Sequence, residues 1–113
     1  MPCKLSPSAD PKADFEGAAP QKVEINVDSD SAAAFIVSAE YPPPTKCQKN
    51  PSGTWSFTIL PGYNQLGVLV ENPKAGDPTR IVEVCGDGTT HILRQYNFDP
   101  QGPTQFFSIK GLQ

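Results

Sequence analysis

The sequence predicts an all-β domain: a seven-stranded antiparallel β-sandwich, immunoglobulin-like or similar, with a small closed β-barrel as the alternative. Three observations predict it. Apolar and polar residues alternate at period two in run after run. Thirteen prolines and nine glycines cut the 113-residue chain into short pieces, which suits strands and turns better than long helices. Turn-forming clusters separate the runs at about ten-residue spacing, as sandwiches require.

Residues 1–21 read as a flexible N-terminal leader and residues 22–113 as the domain. The leader carries Pro2, Pro7, Pro11 and Pro20 among Ser, Ala, Asp and Lys, with Leu5 and Phe15 its only large apolar side chains. Such a stretch buries too little surface to offset its ordering entropy. Alternation starts at Lys22: Val23, Ile25 and Val27 point one way, Glu24 and Asn26 the other. Residues 33–41 form a second strand; the central Phe35-Ile36-Val37 outweighs the helix-favouring alanines. Pro42, Pro43 and Pro44 end it, since they cannot donate to a ladder. A loop holding Cys47 closes at Asn50-Pro51-Ser52-Gly53.

The third strand sets Trp55, Phe57 and Ile59 against Thr54, Ser56 and Thr58. Pro61-Gly62 breaks it. Leu66, Val68 and Val70 mark the fourth, ended by Asn72-Pro73. In the fifth, Val82 and Val84 lie on one face and Ile81, Glu83 and Cys85 on the other. Gly86-Asp87-Gly88 predicts a hairpin into the sixth. There Ile92, Tyr96 and Phe98 share a face with Arg94 as an exception, and Leu93 takes the opposite face. Residues 104–110 make the seventh strand after an Asp99-Pro100 turn.

Three cysteines carry the sharpest expectation. Cys47 and Cys85 sit in the patterned region and are expected to form one disulfide, stabilising the domain by about 3–4 kcal/mol. Cys3 is left over in the leader, where lipidation of a bacterial lipoprotein N-terminus is the functional candidate. A zinc triad of Cys47, Cys85 and His91 is weighed and set aside, because no close cysteine pair has metal-ligand spacing. Asp28, Asp30 and Asp99 suggest calcium only weakly, since the loop lacks a central glycine and closing glutamate. His91 is the only histidine and reads as a surface residue beside a hairpin. No nucleophile elbow or acid–base set emerges, so the expectation is no enzyme, no cofactor and no metal.

The net charge of −3 supplies no basic field for nucleic acid. No run approaches the roughly 18 apolar residues of a membrane helix, so the one expected membrane link is a tether through Cys3. These points favour a non-catalytic extracytoplasmic interaction module, secreted, periplasmic or lipid-anchored. It is expected to hold a protein partner through loops or a sheet edge. A carbohydrate-binding module using Tyr41, Tyr63 and Trp55 is the alternative. A peptidase inhibitor presenting residues 46–55 is a further one.

Overall fold

The computed structural model describes residues 3–29, 35–40, 45–70, 77–98 and 104–113. Among them the chain is all-β, with no helix and eleven strands. These are β1 (Ser6–Pro7), β2 (Phe15–Ala18), β3 (Gln21–Ser29), β4 (Phe35–Glu40), β5 (Thr45–Lys46), β6 (Gln48–Lys49), β7 (Trp55–Ile59), β8 (Gly62–Val70), β9 (Asp77–Val84), β10 (Thr90–Phe98) and β11 (Thr104–Leu112). They form two sheets, ordered β1-β2-β11-β8-β4-β5 and β10-β9-β3-β7-β6. Each sheet ends in its own edge strands, so the closed-barrel alternative is wrong: the strands segregate instead of running round in one ladder.

Each of the seven expected runs contains a strand, and alternation explains their facing. On β3, Val23 and Ile25 are fully buried while Lys22 is exposed. On β8, Leu66, Val68 and Val70 turn inward against exposed Tyr63 and Gln65. On β11, Phe107 and Ile109 turn inward against exposed Phe106. One apolar cluster joins both sheets: Val23, Ile25, Phe57, Ile59 and Ile81 from one, Leu66, Val68, Val70, Phe107 and Ile109 from the other. Each such side chain stabilises the fold by about 1.5–3 kcal/mol relative to exposure.

The expected flexible leader is instead part of the fold. Phe15 and Leu5 are buried in the common core. β2 lies parallel to β11, with Phe15 opposite Ile109 and Gly17 opposite Gly111. The Asp14 amide donates to Ser108 O at 2.8 Å, and its carboxylate accepts from Ser108 N at 2.9 Å. The two apolar anchors act together with the ladder that β11 supplies, which the segment's own composition cannot.

Gly111 shows how closely the chain packs here. A β-carbon on it would overlap Leu60 O and lie 2.8 Å from Ala19 Cβ. β10 also departs from simple alternation. Its register against β9 shifts between Ile92 and Arg94, a bulge at Leu93. The bulge turns Leu93 into the core and leaves Ile92 52% exposed. It puts Arg94 opposite Ile81, with its guanidinium 4.5 Å from the Phe107 ring. Ile92 therefore leaves the face that Arg94 shares, by register, with positions 96 and 98, and the charged exception on that face remains.

Candidate functional site

The densest chemistry lies where β9, β10 and the N-terminal segment meet. Antiparallel register aligns Ile25, Glu83 and His91 across β3, β9 and β10. Glu83 follows Ile81 on the core-facing side of β9 and is 1% exposed. Its carboxylate accepts from Lys4 N at 2.6 Å and Leu5 N at 3.2 Å. His91 Nδ1 lies 3.3 Å from Glu83 Oε1, and its ring meets Phe15 edge to face at 6.3 Å. Burying a carboxylate is costly unless donors surround it, and here two backbone amides and an imidazole do so.

Two residues beyond Glu83, Cys85 is bonded to Cys3. The bridge holds residues 3–5 across the end of β9, so the same short segment carries both the disulfide and the two amides that satisfy Glu83. The sulfurs of Cys3 and Cys85 and a Glu83 oxygen all lie within 4.8 Å of one another.

This corrects the expected Cys47–Cys85 bond. Cys47 is buried between β5 and β6, where the chain passes from one sheet to the other. β6 is three strands from β9 in sheet order, a span of about 14 Å at the usual strand spacing. A disulfide tolerates only about 4.4–6.8 Å between α-carbons. The bridge also removes the lipidation candidate, because the Cys3 sulfur is already bonded to Cys85. Any membrane tether through that atom falls with it.

The aromatic candidates are not brought together. Tyr63 is 44% exposed on β8, while Trp55, on β7 in the other sheet, packs partly buried against the core. Lys49 Nζ stands 5.8 Å from the Trp55 ring centre. Tyr41, Asp30, Asp99 and the three prolines 42–44 lie outside the described residues. Asp28 pairs with Arg80 at 3.5 Å.

Tyr63 belongs instead to a surface triad. Its hydroxyl donates to the Asp10 carboxylate, which Lys110 Nζ also approaches at 3.2 Å. Lys110 lies opposite Tyr63 in the β8–β11 ladder. The Tyr63 hydrogen bond, helped by the Lys12 amide and Lys110, lowers the Asp10 pKa to about 2. The same contact raises the Tyr63 pKa, and Asp10 raises that of Lys110.

A groove of about 540 Å³, part polar and part apolar, runs along the second sheet, with Lys4, Lys22, Asn50 and Ser56 among its polar residues and Val84 and Cys85 among the others. Its wall is a tight turn: Asn50 N donates to Thr54 O, Gly53 N donates to Asn50 O, and Asn50 Nδ2 donates to Ser56 Oγ at 2.8 Å. Residues 50–54 are thus folded on themselves, and Cys47 does not anchor them through a disulfide.

No family model, curated protein or solved structure matches this chain. Its function is therefore read from its own geometry. The sequence reading did not single out Glu83, though its signal was present: an acid flanked by Val82 and Val84, sharing a face with Ile81 and Cys85.

Proposed function

We propose that this chain is a non-catalytic recognition module of the extracytoplasmic space, a two-sheet sandwich that holds an extended segment of a protein partner along the edge of β10. One observation carries the reading. Three of the four sheet edges are two-residue strands, β1, β5 and β6, whereas β10 runs for nine residues with no described strand beyond it. Soluble proteins usually shorten such an edge or arm it with Lys or Pro. β10 contains neither residue and exposes Ile92 at 52%, and the bulge at Leu93 and the charge of Arg94 are the guards it does carry. Strand addition uses an edge of this kind: the ladder supplies affinity and alternate side chains supply specificity.

The Cys3–Cys85 bond supports an oxidising compartment, secreted or periplasmic. The immunoglobulin-like version of the sandwich draws less support. That arrangement places its last two strands side by side, and here β10 and β11 lie in different sheets. Glu83 supports the non-catalytic reading, since both its oxygens accept backbone amides of the N-terminal segment. The inhibitor reading keeps a hydrogen-bonded turn at residues 50–54 but loses the Cys47–Cys85 anchor that motivated it.

The test uses extended peptides selected from a displayed library against the oxidised protein. Bound peptides are expected to slow hydrogen exchange in β10, and Ile92→Lys is expected to weaken them at least tenfold while leaving the fold intact. Protection elsewhere, or binding indifferent to Ile92→Lys, contradicts the reading.

One observation favours the carbohydrate alternative in altered form. The groove beside Lys22, Asn50 and Ser56 offers polar side chains and the volume for a sugar, while Tyr63 and Trp55 lie in different sheets. Glycan-array binding lost on Asn50→Ala would favour it over strand addition.

A further inference from the structure

Among the described residues, Cys3, Glu83 and Cys85 are the one group of three side chains able to share a metal ion. In the oxidised chain the two sulfurs are bonded to each other and unavailable as thiolates. We infer that reduction of this bridge turns the cluster into a zinc(II) site. The protein ligands are Cys3 Sγ, Cys85 Sγ and one Glu83 oxygen, and His91 orients the carboxylate.

The geometry fits. The ligand atoms lie within 4.8 Å of one another. Tetrahedral zinc, with Zn–S about 2.3 Å and Zn–O about 2.0–2.2 Å, needs ligands about 3.5–3.8 Å apart. Opening the bridge must part the sulfurs to that distance. Two thiolates and a carboxylate select zinc over magnesium or calcium, which favour all-oxygen shells. With three protein ligands the fourth position belongs to water. His91 Nδ1, 3.3 Å from Glu83 Oε1, stands where a second-shell hydrogen-bond partner would.

The covalent bond is not the segment's sole hold on β9 and its neighbours. Leu5 is 3% exposed, Lys4 and Leu5 donate to Glu83, and β2 is laddered to β11. These contacts keep Cys3 beside Cys85 after the bridge opens. Cys3 and His91 are only partly buried, which gives the ion a way in.

The chemistry balances with a phosphine reductant. The phosphine gives two electrons, the Sγ–Sγ bond breaks, and one water supplies the oxygen of the phosphine oxide and the two thiol protons. Zinc(II) then displaces both protons to solvent as the thiolates bind. A phosphine is preferred because it carries no thiol to compete for the metal.

The test is anaerobic titration of the reduced full chain with cobalt(II), followed by zinc(II), with circular dichroism on every sample. The expected result is one cobalt per chain with a thiolate-to-cobalt charge-transfer band, abolished by zinc. The oxidised protein and reduced Cys85→Ser should show no band. Cys47→Ser should match the wild type within twofold. Glu83→Gln and His91→Ala should each weaken binding by about tenfold or more. The inference is overturned if the reduced chain stays folded without the band, or if the band survives Cys85→Ser. It is equally overturned if reduction unfolds the chain and zinc does not restore the strand signal.

Discussion

Replacing Cys3 with serine opens a loop that spans most of the chain. The bridged cysteines are separated by 82 positions. For a loop of that length the chain-entropy relation gives about 4.5 kcal/mol at 25 °C. Domains of this size are stable by about 5–15 kcal/mol in total, so Cys3→Ser should remove a large share and leave the chain near the threshold of folding. Guanidinium unfolding of the oxidised protein measures this. Cys3→Ser and Cys85→Ser should each lose about 3–5 kcal/mol, and the double mutant should lose scarcely more, because either change alone deletes the same cross-link. Cys47→Ser places a hydroxyl in the core at a cost of about 1–3 kcal/mol, and that cost should add to the loss from Cys85→Ser. Additivity between Cys3 and Cys85, or non-additivity between Cys47 and Cys85, would refute the reasoning.

Two further outcomes follow from the buried carboxylate and the surface triad. Glu83→Gln keeps the shape but turns one acceptor into a donor facing a backbone amide, so it should cost about 1–3 kcal/mol by equilibrium unfolding; a change under about 0.5 kcal/mol would mean the amides do not depend on the charge. Asp10 has a pKa lowered to about 2 in the folded chain against an ordinary 3.8, so its contribution is present above the ordinary value and lost as pH falls toward about 2. Asp10→Asn should flatten that part of the acid-stability curve. It should also bring Tyr63 ionisation, followed by ultraviolet absorbance, down toward the ordinary tyrosine value; an unmoved Tyr63 titration would show that the contact does not hold in solution.

The strands were legible where each carries its own pattern. Val23 and Ile25, or Phe107 and Ile109, declare a buried face without reference to any neighbour. β2 does not, because Phe15-Glu16-Gly17-Ala18 becomes a strand only once β11 lies beside it. The bulge at Leu93 was hidden for a related reason: an extra residue resets parity, and only the pairing with β9 shows where. Three cysteines permit three pairings, and spacing cannot choose among them. The choice rests on sheet order, which sets β6 three strands from β9 while the N-terminal segment passes directly over Cys85. Glu83 was visible as an acid inside an apolar run, but its role required the amides of Lys4 and Leu5, brought from the other end of the chain.

Linkage of the N-terminal segment to β9 is tested most directly by a non-reducing tryptic map of the oxidised protein at acidic pH, with exposed thiols alkylated first. The lysines and arginines place Cys3, Cys47 and Cys85 in separate peptides, residues 1–4, 47–49 and 81–94. The structure predicts that peptides 1–4 and 81–94 run as one mass that splits on reduction, with 47–49 outside it. A linked pair of 47–49 and 81–94, with 1–4 recovered alkylated, would contradict it.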